Sequence, residues 1–163
     1  MTQQEFKKLF EMHFAPLRKY VFFRSGDTEL ATDIAQETFL RIWEKQDKVK
    51  PDRIKGLLYK IASDLFITHY RKEKRSFDFF KYYQSDREVH SPEDELVFEQ
   101  LKQQYSRVLA KMSEKQRTVF LMSRVEGMKY SEIAEINGIS VKAVEKRMKY
   151  ALELLHANLT TNG

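Results

Sequence analysis

Lys142, Lys146, Arg147 and Lys149 crowd into one short helical stretch near the end of the chain, and side chains of this type bind phosphates and base edges. A second cationic set, Lys60, Arg71, Lys72, Lys74 and Arg75, is interleaved with rings. Tyr59, Phe66, Tyr70, Phe77, Phe79, Phe80, Tyr82 and Tyr83 make eight of the 21 aromatic residues. Rings on a positive surface stack on unpaired bases, at about 1 to 3 kcal/mol each, while the cations hold phosphates. Some of these rings must be core. Phe66 and Tyr70 lie off the main apolar stripe, and Phe77 to Tyr83 are too many for a solvated loop unless they pack or bind. Catalysis finds no such support. The four histidines, at 13, 69, 90 and 156, have no ligand spacing with carboxylates, and neither a glycine-rich phosphate loop nor a nucleophile elbow occurs. His13 sits on an apolar stripe as a satisfied, partly buried residue. With Cys 0, disulfide frameworks, thiol catalysis and zinc fingers fall away together.

The elements that must carry these residues read as helices throughout. Phe6, Leu9, Phe10, His13, Phe14, Leu17, Tyr20 and Val21 share one face of a first helix that Gly26 ends. Asp27 caps a second helix reaching to about Lys45, with Leu30, Ile34, Thr38, Ile42 and Trp43 inward and Asp33, Gln36, Glu37, Arg41 and Glu44 outward. After Pro51 and Asp52 a third helix turns Ile54, Leu57, Leu58, Ile61, Ala62 and Leu65 inward. Periodicity fails from Ser76 to Ser91, and these 16 residues extend to about 50 Å, so the flanking halves need not touch. Ser91-Pro92-Glu93-Asp94 opens a fourth helix through Leu96, Leu101, Tyr105, Val108 and Leu109. Ser113 to Gln116 is a capping box for a fifth, with Val119, Phe120 and Met122 in its core and Gly127 as its stop.

The last two helices form the most specific local pattern. Ile133, Ala134 and Ile136 bury a short helix, Gly138 makes the left-handed turn, Ile139 plugs the angle, and Ser140 caps a helix burying Val144, Met148, Ala151 and Leu155. The lysines at 142, 146 and 149 then point outward, with Arg147 at the edge. That is helix-turn-helix geometry suited to a DNA major groove; the competing reading is the solvated face of an ordinary amphipathic helix. Charge along the chain agrees. The net +5 divides into +3 over residues 1–26, -4 over 27–44, +6 over 45–75, -5 over 84–100 and +5 over 101–163. Two basic blocks separated by acidic stretches suggest two anion-binding surfaces on two modules. No apolar run nears the roughly 20 residues of a membrane span, and the N-terminus lacks a secretory leader pattern, so no membrane insertion and a cytoplasmic location are expected.

The phrases DIAQETFLRIWEK, GLLYKIASDLFITHYRKEKR, SPEDEL and EKQRTVFLMSRVEGMKYSEIAEINGIS, in this order, resemble the extracytoplasmic function (ECF) sigma factors of bacterial RNA polymerase from about Phe6 to Leu155. The resemblance implies an all-α fold of two small helical domains joined by a flexible linker, the C-terminal one a helix-turn-helix. Residues 1–75 would bind core polymerase and recognise and melt the minus-ten element, 76–91 would form a specificity loop and linker, and 92–163 would recognise the minus-thirty-five element. Carried over residue by residue, Asp33, Gln36 and Glu37 would dock on the polymerase clamp, with Phe39 and Trp43 packing nearby. Lys60, Asp64, Thr68, Arg71, Lys72, Lys74, Arg75, Phe79 and Phe80 would meet the minus-ten DNA, and Lys142, Ala143, Lys146, Arg147 and Lys149 the minus-thirty-five DNA. Asp64 and Thr68, and Ala143 and Glu145, depart from the family's usual residues, so promoter sequence does not transfer from a relative.

The implied partners are core RNA polymerase, promoter DNA and an anti-sigma factor, with no cofactor and no metal. The acidic stretch Gln84 to Glu95 would run aperiodically through the polymerase's nucleic-acid channel. The competing function is a two-domain helix-turn-helix repressor or activator that binds duplex DNA without polymerase.

Overall fold

Local chemistry fixes where each helix starts and stops. The protein is described here by a computed structural model that covers residues 1–69, 77 and 92–160, leaving aside the side chains at positions 94, 95, 97, 98, 101, 159 and 160. Helix α1, Gln3–Ser25, opens with a reciprocal cap: Thr2 Oγ1 accepts from the Glu5 amide at 3.1 Å, and the Thr2 amide donates to Glu5 Oε2 at 2.9 Å. It closes at Gly26, whose φ of 70° lets its amide turn back to the Phe22 carbonyl at 2.8 Å. Helix α2, Thr28–Glu44, follows directly because Asp27 accepts from the amides of Glu29 and Leu30, both at 3.1 Å. Two 3-10 turns, Gln46–Lys48 and Pro51–Arg53, lead into α3, Ile54–His69.

The second half begins with α4, Pro92–Lys111, then α5, Glu114–Arg124, behind the reciprocal cap of Ser113 and Gln116. Helix α6, Tyr130–Asn137, turns at Gly138 (φ 66°) into α7, Val141–Thr160. The described residues contain these seven helices and two 3-10 turns. Helices α1, α2 and α3 pack on one another, and α5, α6 and α7 form a second group with α4 laid against α7.

The two groups touch. Helix α1 packs on α5 as well as on its own neighbours, and α3 packs on α6. An amphipathic helix in one bundle buries a stripe, but α1 is buried at Leu17 and again from Tyr20 through Ser25, on every side. Its C-terminal half is therefore the rod around which both groups close.

Two details depart from the periodicity. Leu96, expected inward, is 61% exposed; among the described side chains of α4 the buried ones are Val108 and Leu109, with Met112 just past its end. Phe66, off the apolar stripe, is nevertheless buried, because the Arg24 guanidinium covers its ring at 4.3 Å. Pro92 begins α4, as its place after Ser91 predicts, so residues 92 to 95 of the acidic stretch Gln84 to Glu95 are helical.

Candidate protein and nucleic-acid interfaces

Helix α2 divides its polar face between two recesses. Asp33 and Glu37 line a cleft of about 340 Å³ shared with Arg41 and with Leu65 and His69 of α3. Gln36, one turn away, lines an apolar groove of about 440 Å³ on the opposite side, with Phe6, Phe10, Phe39, Leu40 and Trp43. Asp33 and Gln36 are exposed, while Glu37 accepts from Arg41 Nε at 3.2 Å. Both members of that pair are nearly half exposed, so it holds little energy and is available to a partner. Phe39 is only 2% exposed and lies among Phe6, Phe10 and Phe14, with the nearest ring centroid, that of Phe10, at 5.1 Å. Trp43 meets the Phe6 ring edge-on at 5.0 Å. These two rings thus support the face from beneath. Sequence reasoning passed over Leu40, which is 51% exposed beside them; an apolar residue directly after Phe39 on an otherwise polar side was the available signal.

On α3, Lys60, Asp64 and Thr68 stand at successive helical turns and are all exposed, with Thr68 Oγ1 donating to the Asp64 carbonyl at 3.0 Å. Ile67, 64% exposed, shares that side. Lys60 also lines a cleft of about 570 Å³ with Lys48, Lys50 and Arg53, across from Glu135 of α6. The three extra cations were visible only as part of the +6 block and were not singled out. Arg71, Lys72, Lys74, Arg75, Phe79 and Phe80 lie outside the described residues, as do Tyr70, Tyr82 and Tyr83. Of the remaining rings in the aromatic set, Tyr59, Phe66 and Phe77 are all core. Burial, then the nearby Tyr20 and Glu126, pushes the Tyr59 phenol up to about 12, so it stays neutral.

Helix α7 follows the expected division. Lys142, Lys146 and Lys149 are exposed, Ala143 and Arg147 half-buried, and Val144, Met148 and Ala151 buried. The Ala143 amide donates to Ser140 Oγ at 3.1 Å, and the Ile139 amide reaches back to the Ala134 carbonyl at 3.0 Å. These bonds hold the angle between α6 and α7, so the three lysines stand on a rigid, outward-facing helix. Among the described residues no cluster of metal-ligating side chains occurs, and no helix is long and apolar enough to cross a membrane.

Residues missed by sequence reasoning lie between the two groups. Arg24 and Arg117 are 7% and 6% exposed, and both join α1 to α5. A lone arginine in an amphipathic pattern gives no sign that it will be buried.

Comparisons with known proteins fit this layout. Residues 9–76 match the family described as Sigma-70 region 2, and residues 102–155 match Sigma-70, region 4. The ECF RNA polymerase sigma factor SigL of Mycobacterium tuberculosis is 29% identical over 96% of this chain and 90% of its own length. SigW of Bacillus subtilis, also an ECF sigma factor, is 27% identical with the same coverage. In fold, the chain is similar to the sigma factor RpoE of Bartonella quintana, solved with the anti-sigma factor NepR, at a TM-score of 0.64, 22% identity and coverage of 98% and 99% of the two chains. It is likewise similar to CnrH, solved with the cytosolic domain of CnrY, at a TM-score of 0.68 and 23% identity, covering 99% and 92%. A helix-turn-helix regulator acting without polymerase would account for the second half alone. With region 2 ahead of region 4 and relatives aligned from end to end, the chain belongs to the ECF group of sigma-70 factors, the initiation factors that bring RNA polymerase to specific promoters.

Proposed function

We propose that the work of initiation is divided among three surfaces of this chain. Residues 1–75 bind core polymerase through Asp33, Gln36 and Glu37, supported by Phe39 and Trp43, and meet the minus-ten element through Lys60, Asp64, Thr68, Arg71, Lys72, Lys74 and Arg75. Residues 76–91 serve as specificity loop and linker, with Phe79 and Phe80 as base-stacking rings. Residues 92–163 read the minus-thirty-five element through Lys142, Ala143, Lys146, Arg147 and Lys149. The observation that carries this reading is the separation of exposed faces by charge. The stretch 27–44, net -4, presents carboxylates and an amide to a basic protein surface, while α7 presents three exposed lysines to phosphates.

The protein transfers no chemical group in this role; the polymerase does the chemistry. It acts in the cytoplasm, where polymerase works. An anti-sigma factor is the third partner, and the complexes of CnrH with CnrY and of RpoE with NepR support such a partner here.

Two variants separate the surfaces. Asp33→Ala with Gln36→Ala should weaken binding to core polymerase about tenfold, equivalent to about 1.4 kcal/mol, and leave minus-thirty-five contacts intact. Lys146→Glu should do the reverse, removing the minus-thirty-five footprint and keeping core affinity. Loss of DNA contact with unchanged core affinity in the first variant would refute the α2 assignment.

A further inference from the structure

Positive charge gathers beside the start of α3. The connector from α2 folds into two 3-10 turns, in which the Lys48 amide donates to the Lys45 carbonyl at 2.9 Å and the Arg53 amide to the Lys50 carbonyl at 3.0 Å. Val49, between them, packs on the core and pins the connector down. Lys48, Lys50 and Arg53 are left exposed around the same cleft of about 570 Å³ as Lys60, with Asp52 and Glu135 as its two carboxylates. Among the described residues the ion pairs engage Lys7, Lys19, Arg24 and Arg41, and none of these four cations. Like charges held around one concavity repel each other and focus a field that draws in anions. Gly56 adds an independent observation. Positive φ accounts for glycine at 26, 127 and 138, but Gly56 lies in the first turn of α3 with ordinary helical backbone. A Cβ there would meet nothing within 4 Å, and glycine weakens a helix relative to alanine, so neither conformation nor internal packing accounts for it. Gly56 is exposed and lines the cationic cleft. Lacking a side chain, it lets the backbone of a ligand come against the helix itself, near the end where the helix dipole favours an anion.

We propose that this cleft holds the sugar-phosphate backbone of an unpaired DNA strand, with Lys48, Lys50, Arg53 and Lys60 on its phosphates and Gly56 as the point of closest approach. The proposal rests on the promoter reading above. It lengthens the minus-ten surface backwards from Lys60, Asp64 and Thr68, which run along α3 from the same cleft. Size favours one strand over a duplex. The volume is that of a small-molecule pocket, which admits a nucleotide or two and excludes the full width of paired DNA. Phosphate contacts fix the register of a strand without reading its sequence, and a cationic groove that tracks the backbone is how unpaired strands are held. The cleft therefore positions the strand whose bases the rest of the minus-ten surface meets.

Holoenzyme assembled from core polymerase and the full chain is titrated at several salt concentrations with two DNAs. One is a fork whose non-template strand is unpaired from the minus-ten element onward; the other is a paired fragment carrying only the minus-thirty-five element. Lys50→Gln with Arg53→Gln should weaken fork binding about tenfold and reduce the slope of log affinity against log salt by about 1.4, the value for two single-strand phosphates. Affinity for the paired fragment and for core polymerase should not change. A neutral methylphosphonate moved along the unpaired strand should cost the unsubstituted chain affinity at one or two positions and cost the double variant none there. Gly56→Ala should raise the Tm of the free protein by about 2 °C yet weaken fork binding several-fold with the salt slope unchanged. Unchanged affinity and slope in the double variant overturn the proposal. An equal loss on the paired fragment also overturns it, since that is general attraction of polyanions. So does a Gly56→Ala variant that binds the fork normally. If the unsubstituted holoenzyme shows no preference for the fork, the promoter reading itself fails, and this proposal with it.

Discussion

Arg24 and Arg117 show how a single residue can decide architecture without declaring it in the sequence. Arg24 follows Val21 by one helical turn and Arg117 stands two residues before Val119, both core positions that periodicity places correctly, and a charged side chain is exposed unless its donors are satisfied. Here the partners come from the other half of the chain, 90 residues away for Arg24 and Glu114, so no local window could reveal them. Phe66 follows from the same fact, since its cover is Arg24. His13 was legible, lying on the apolar stripe and partly buried as expected. Burial, and then Lys55, holds its imidazole below the ordinary 6.5. The folded state therefore resists a proton that the unfolded chain accepts, and the associated stability is present above pH 6.5 and lost as pH falls. In urea titrations at about pH 7.5 and 5.5, His13→Gln should lose less stability between the two than the unsubstituted protein does. An equal loss would place the acid sensitivity elsewhere.

At the level of elements, capping residues carried most of the information. Thr2, Asp27, Ser113 and Ser140 all cap helices, and Gly26, Gly127 and Gly138 all adopt positive φ, because few residue types can satisfy helix ends. Asp27, Ser113, Ser140 and these glycines could be picked out by type and spacing alone. Leu96 could not, because being apolar at helical spacing does not guarantee a neighbour to pack against. Gly138 is the strictest of these positions for function, since it sets the angle between α6 and the lysine-bearing α7. A Cβ there would meet nothing within 4 Å, so Gly138→Ala tests backbone conformation by itself. It should cost about 1 kcal/mol through the left-handed φ, lowering Tm by about 2 to 4 °C in thermal unfolding. An unchanged Tm would mean that the turn is not held in that conformation.

For the molecule as a whole, the arrangement of the halves was the least legible feature. A 16-residue aperiodic stretch permits contact or separation equally, and the contact that forms depends on long-range polar bonds. Charge was more informative. The alternation of basic and acidic blocks corresponds to exposed lysines on α7, a cationic cleft beside α3 and a carboxylate-bearing α2. A net charge of +5 alone conceals that arrangement. The chain is an initiation factor that brings RNA polymerase to specific promoters. That role is tested most directly by run-off transcription with purified core polymerase on a template carrying the cognate promoter. Addition of this protein should produce a transcript of defined length that requires both the promoter and the protein, and that Asp33→Ala with Gln36→Ala reduces. Binding of the free protein to duplex sites with no promoter-dependent transcript would contradict it.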